Sequence, residues 1–312
     1  SGKTANRKSK YTKEPWIDSL GRLHGNIWIR GGGDPSLGSK YFNKEGHQLD
    51  FMLQWIDSLK SIGVTSIEGN IIADASEFGY DGAPGGWSWS DLGNYYGAGP
   101  SGLTLYDNLL KFTFNCPSQI GQTTKVQSIL PYVPDLVFHN YITSSARKGD
   151  NAYLFGGPNA LDRFGIGTLP AGASNFVVKG SLPDPEFQFA FELHRILGEN
   201  GVQVDGNPKS ARRMDQSSTP NDYTKKELLI THHGEKLIDV INQTNMRSVN
   251  LFAEHMLNLV GYEKTGMGST ESGLQALENH WESKINIDGL SLEDGSGLSR
   301  SNGISAAHFI EM

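Results

Sequence analysis

Residues 49–62 set the first firm limit on the fold. Their apolar positions Phe51, Met52, Leu53, Trp55, Ile56, Leu59 and Ile62 recur at the spacing of an amphipathic helix, and Gly63 stops it. Before the helix, residues 23–30 alternate apolar and polar side chains as a half-buried strand does. The run Gly31-Gly32-Gly33-Asp34-Pro35 ends that strand with backbone freedom that only glycine supplies. After the helix, residues 67–73 return to the strand pattern. Strand, helix and strand predict a small mixed module at the front of the chain.

Further along, residues 109–114, 124–130 and 151–155 read as short strands of a second, β-rich lobe. Residues 176–181 form another strand, and 185–200 a helix carrying Phe187, Phe189, Phe191, Leu193, Ile196 and Leu197. Residues 78–102 are rich in Gly, Trp, Tyr and Pro without periodicity. That describes a structured loop, with Trp87, Trp89, Tyr95 and Tyr96 supplying apolar area to pin it. A polar stretch at 209–220 marks a boundary. Beyond it the patterns predict a strand at 227–231 and helices at 237–243, 248–259 and 270–281.

A chain of 312 residues exceeds the usual single-domain size, so more than one lobe is expected. Hydrophobic residues at 37% and charged residues at 20% describe a globular chain. No apolar run approaches the roughly 18 residues that a membrane helix needs, so no integral membrane segment is expected. The net charge of -7 disfavours nucleic acid as a partner, because phosphate binding needs clustered Lys and Arg. The single cysteine, Cys116, forms no internal disulfide and fits a reducing or an oxidising compartment equally. Residues 1–13 hold Lys3, Arg7, Lys8, Lys10 and Lys13 with no acid, which is neither a signal peptide nor a helix with a core face. They read as a flexible or truncated arm.

One short motif carries chemistry. Ser248-Val249-Asn250 places a hydroxyl and an amide two residues apart where a loop enters a helix, so both can face one cleft. The triplet alone is read more simply as a helix cap, in which the serine accepts a backbone N–H. Its flanks favour a site: Thr244-Asn245 before it, Ala253-Glu254 after it, and the glycine-serine loop Asp294-Gly295-Ser296-Gly297-Leu298-Ser299-Arg300 further on. Together these resemble the penicillin-recognising serine peptidases, which use S-x-x-K, S-x-N and K-T-G as three separated elements. The likeness is to the S13-type D-alanyl-D-alanine carboxypeptidase/endopeptidases, the class C low-molecular-mass penicillin-binding proteins. It extends through His24-Gly25-Asn26 and Gly31-Gly32-Gly33-Asp34-Pro35-Ser36-Leu37. It continues in Ile67-Glu68-Gly69-Asn70, in Ala83-Pro84-Gly85-Gly86-Trp87, in Gly149-Asp150-Asn151 and in Val178-Lys179-Gly180-Ser181-Leu182-Pro183.

The resemblance implies an α+β fold: an incomplete penicillin-binding transpeptidase-like domain with a long β-rich inserted region of two small lobes. Residues 1–19 would be the arm and 20–208 the insertion. Within it, 20–75 plus 170–208 form a mixed lobe and 76–169 a β-rich lobe, leaving 209–312 as the partial catalytic domain. In the family, the Ser of S-x-N passes a proton to the departing amine and its Asn orients the substrate peptide. These roles fall on Ser248 and Asn250 here. The implied partners are peptidoglycan stem peptides and, for the complete parent, β-lactams; no cofactor or metal is implied, and the location is periplasmic or extracellular. The S-x-x-K element is expected before the strand at residue 23 and the K-T-G strand after Met312, so the chain reads as a segment of a longer enzyme that is inactive alone. The alternative is a non-catalytic peptidoglycan-binding or scaffolding protein that has lost its nucleophile.

Other matches read as coincidences. Ser145-Ala146-Arg147-Lys148 has S-x-x-K form but lies in a polar turn, where nothing desolvates the lysine; a hydrolase built on Ser145 and Lys148 therefore ranks last. Lys264-Thr265-Gly266 follows a helix instead of occupying a strand. Ser1-Gly2-Lys3-Thr4 lacks the earlier glycine and buried strand of a phosphate loop. The nine histidines show no metal spacing, and His255 is expected at solvent or an interface.

Overall fold

The structure is a computed structural model that describes residues 16–214 and 221–312. The expected arm at 1–13 and the boundary residues 215–220 therefore lie outside the described residues. The first third comprises β1 (Trp16–Ile17), β2 (Arg22–His24), β3 (Ile27–Arg30), α1 (Asp50–Ser61), β4 (Ser66–Ile67), β5 (Ile71–Asp74) and α2 (Trp89–Leu92). Next come β6 (Leu109–Asn115), β7 (Lys125–Leu130), β8 (Val137–Ser145), β9 (Asn151–Phe155), β10 (Asp162–Pro170) and β11 (Phe176–Ser181). Then follow α3 (Pro185–Glu199), β12 (Gln203–Val204), β13 (Pro208–Ser210) and α4 (Ala211–Met214). The chain continues through α5 (Leu237–Arg247), α6 (Asn250–Thr265), α7 (Thr270–Glu282) and α8 (Ala306–Glu311).

The strand expected over 23–30 is in fact two strands in two sheets. β2 and β12 flank β4 in parallel, and β3 and β13 flank β5 in parallel. Each chain passes from the first sheet to the second through a Gly-Asn corner: Gly25-Asn26, Gly69-Asn70 and Gly206-Asn207. The corners stack so closely that a Cβ on Gly69 would sit 2.2 Å from the Gly25 carbonyl, and one on Gly206 2.3 Å from the Gly69 carbonyl. Asn26 Oδ1 accepts from the Asn70 backbone N–H at 2.7 Å, and Asn70 Oδ1 from the Asn207 N–H at 3.0 Å. These side chains satisfy the donors that the bend removes from the sheet ladder. Gly69→Ala, which pushes a side chain into backbone with no room to yield, is expected to cost about 3 kcal/mol of stability. The denaturant midpoint measures it, and a loss under a third of that would disprove the close stacking.

Helices α1 and α3 supply the first core. Phe51, Met52, Ile56 and Leu59 meet Phe189, Leu193, Ile196 and Leu197 over Ile67, Ile71 and Ala73. Asp184 starts α3 by accepting the Phe187 N–H at 2.9 Å, with Pro185 preset for the first turn. The second core belongs to two three-stranded sheets, β11-β6-β7 and β8-β10-β9, around Leu110, Phe112, Phe114, Ile142, Leu154, Leu169 and Val178. β8 and β10 escape the sequence patterns because Gly165 and Gly167 and the polar His139, Asn140 and Thr143 interrupt the alternation. Gly165 is needed there, since a Cβ would lie 2.7 Å from the Ile142 side chain.

The last part is helical. α6 and α7 approach through glycines: a Cβ on Gly273 would meet the Leu257 carbonyl at 2.4 Å. Val240, Leu251 and Phe252 form its own small core against Tyr41 and Phe42. The strand expected at 227–231 is absent. Leu229 and Ile230 still pack on the first core, but among the described residues no strand lies beside them to pair with.

Candidate active site

The local chain path sets the geometry around Ser248. α5 ends there in the left-handed conformation, φ 54° and ψ 56°, with its N–H and that of Val249 both bonded back to the Thr244 carbonyl. A residue other than glycine in this region carries local backbone strain. The helix-cap reading fails: Val249 is the N-cap of α6, and Ser248 is exposed with no side-chain hydrogen bond among the described residues. Asn250 opens α6, and its Nδ2 donates to the Tyr96 carbonyl at 2.9 Å. A carbonyl only accepts, so the amide orientation is fixed and Oδ1 is presented on the other side.

One turn later Glu254, fully buried, reaches the glycine-serine loop. Its two oxygens accept the N–H groups of Gly295 (3.0 Å) and Ser296 (2.8 Å). Burial pushes its carboxyl up to about 7, with Asp294 adding to the rise and the bonds from Ser296 and Gly295 opposing it. Asp294 holds the loop from inside. It accepts from the Gly297 and Ser299 N–H groups, from Asn302 Nδ2 and from Trp87 Nε1, all within 2.6–2.8 Å. Arg300 closes the far side on Asp91 at 3.0 Å. The expected triplet and loop are thus brought together on α6. The aromatic segment forms the third wall, through the Tyr96 carbonyl, Trp87 and Asp91. Of the four aromatics expected to pin that segment, Trp87 is buried, whereas Trp89 and Tyr95 remain exposed.

His255 occupies neither solvent nor an interface. It is fully buried, its Nδ1 donating to the Gly33 carbonyl at 3.0 Å and its Nε2 accepting from Thr104 Oγ1 at 2.9 Å. The glycine turn at 31–33 therefore serves close packing against α6. A Cβ on Gly33 would overlap the Phe78 ring. Burial pulls the His255 imidazole down to about 4. Unfolded, it takes up its proton near 6.5, so the unfolded chain binds more protons between pH 6.5 and 4. The contribution of this one group to stability should fall by about 3 kcal/mol as pH drops through that window, opposite in sign to that of a buried carboxyl with a raised value. His255→Gln, which cannot titrate, should lose that slope in pH-dependent unfolding; an unchanged slope would assign it elsewhere.

Two of the coincidental motifs stay apart from this site. Ser145 ends β8 and its hydroxyl accepts the Arg147 N–H, with Lys148 exposed in the turn beyond. Lys264-Thr265-Gly266 is the end of α6, where Gly266 is the left-handed cap. Ser1-Gly2-Lys3-Thr4 lies outside the described residues. Among the described residues no group of three or more His, Cys, Asp or Glu could hold a metal ion.

The family model of the D-Ala-D-Ala carboxypeptidase 3 (S13) family matches residues 17–312. The chain belongs to this family. Curated relatives include a D-alanyl-D-alanine carboxypeptidase of Actinomadura sp., 25% identical over 92% of this chain and 52% of its own. The carboxypeptidase DacB of Haemophilus influenzae is 22% identical over 90% of this chain and 55% of its own. The crystal structure of penicillin binding protein 4 from Haemophilus influenzae superposes with a TM-score of 0.76 at 22% identity, covering 95% of this chain and 61% of that one. It shares the α+β fold. The S13 chain described here spans about half the length of the curated relatives it matches. Sequence reading missed the contacts that Glu254, Asp294 and Tyr96 make in this candidate site. Glu254 and Asp294 were legible only as neighbours of motifs, and a main-chain carbonyl such as that of Tyr96 leaves no residue signal.

Proposed function

We propose that this chain carries the S-x-N element of a cell-wall serine peptidase that cleaves D-Ala-D-Ala or D-Ala-diaminopimelate bonds through an acyl-enzyme. The observation that carries the reading is the pairing of an unbonded Ser248 hydroxyl, held in a left-handed turn, with an Asn250 amide whose orientation Tyr96 fixes. In this scheme the family's S-x-x-K serine attacks and its lysine takes the proton. Ser248 passes that proton to the departing amine, and Asn250 Oδ1 accepts from the substrate's peptide N–H. Glu254 and Asp294 act by keeping the 294–300 loop against the start of α6. Stem peptides and β-lactams are the proposed ligands, in the periplasm or outside the cell.

The same reading divides the chain into a mixed lobe (20–75 with 170–208), a β-rich lobe (76–169) and a partial catalytic domain (209–312). Three separate apolar cores support the division in outline, but its borders shift: Leu103 and Leu105 belong to the first core, and Val178 and Leu182, with strand β11, belong to the second.

The test is covalent labelling of the complete protein by a fluorescent penicillin. A labelled band that survives denaturation is expected. No band at long incubation would sink the peptidase reading and leave a non-catalytic wall-binding protein.

A further inference from the structure

We propose that the outer face of the β8-β10-β9 sheet is a platform for the glycan strand of the cell wall, a chain of linked and uncharged amino-sugar rings. The inner face of this sheet is already committed, through Ile142, Leu154 and Leu169, to the second core. On the outer face, strand register places Tyr141, Ile166 and Tyr153 in one row. They are 62%, 47% and 52% exposed. The neighbouring row brings together Phe164 and Phe155, stacked at 5.0 Å, and Trp89 leans over both from α2 at 6.4–6.5 Å. A contiguous exposed apolar surface of this kind marks a binding face.

Three observations select a glycan. The rings are flat and two end in hydroxyls, so the C–H face of a sugar can stack while its hydroxyls find partners. The face is nearly neutral. Its charged groups are Asp162 and His139 at one end, 3.4 Å apart, which suits a sugar backbone better than an ionised peptide. Tyr141 and Tyr153 stand two strands apart, about 10 Å, close to the length of one disaccharide.

The platform is also tied to the candidate site. Asn94 Oδ1 accepts the Leu154 N–H at 3.0 Å, fixing β9 to the aromatic segment, and two residues on the Tyr96 carbonyl holds Asn250. The identity of the occupant rests on the peptidase reading; the platform itself does not.

The experiment is co-sedimentation of the 312-residue chain with chitin, a glycan of linked and uncharged N-acetylglucosamine rings, with free stem peptide as the competitor. Retention on glycan is expected. Replacing Tyr141 and Tyr153 together by Ala should weaken it about tenfold or more, whereas replacing both by Phe should keep most of it. The melting temperature should not move, since both rings are exposed. No retention, or equal retention by the Ala pair, would overturn the proposal. So would concentration-dependent self-association that the Ala pair abolishes, because the occupant would then be a second copy of this chain. Glycan retention without penicillin labelling of the complete protein would sink the peptidase reading and keep the platform; labelling without retention would do the reverse.

Discussion

On the proposed function, Ser248→Ala in the complete protein is expected to slow acylation about a hundredfold or more, the usual worth of a positioned proton-transfer group. The melting temperature should stay nearly constant. Ser248 caps α5 through its backbone, and its hydroxyl bonds to nothing among the described residues, so alanine removes no folding interaction. Ser248→Gly sharpens the test. Glycine relieves the left-handed strain at φ 54° and should raise stability by about 1 kcal/mol, yet it should be as slow as the alanine variant. Rate and stability then move in opposite directions, which a purely structural serine could not produce. Asn250→Ala should impair both peptide and β-lactam acylation, because each presents an amide to the same side chain. Unchanged acylation in Ser248→Ala would remove the assignment.

Glu254→Ala is expected to cost about 1–3 kcal/mol, because it removes the buried carboxyl group that accepts the part-buried N–H groups of Gly295 and Ser296. The 294–300 loop should loosen, and cleavage by protease within it should become the earliest product. Glu254→Gln should recover part of the loss, since one amide oxygen still accepts one of the two donors. The same carboxyl supplies a pH signature. Its folded value of about 7 exceeds the ordinary 4.5, so its contribution is whole below pH 4.5 and shrinks as pH rises towards 7. The glutamine variant should lack that decline. A loss in Glu254→Ala below about 0.5 kcal/mol, the size of an ordinary surface change, would show that the loop is held by other contacts.

The helices α1 and α3 and the strands β6, β7, β9 and β11 were legible because each buries one face of its own, and that face writes its period into the residues. The S-x-N triplet and the 294–300 loop were legible as residue types in a known order. Local pattern could not separate Ser248 as a helix cap from Ser248 as a free hydroxyl, because both need the same residue at a helix entrance. The tertiary structure decides it by placing the cap on Val249 and turning Ser248 left-handed. Strands β8 and β10 were lost for a related reason: Gly165 is small because Ile142 presses on it from the neighbouring strand, and that pressure has no trace in the local sequence. His255 was misplaced because a histidine's burial depends on partners 151 and 222 residues away, Thr104 and Gly33. The sequence by itself determined the elements that carry their own period and the family. Only the tertiary structure decided which polar side chains are buried, since each needs a partner distant in the chain to stay there.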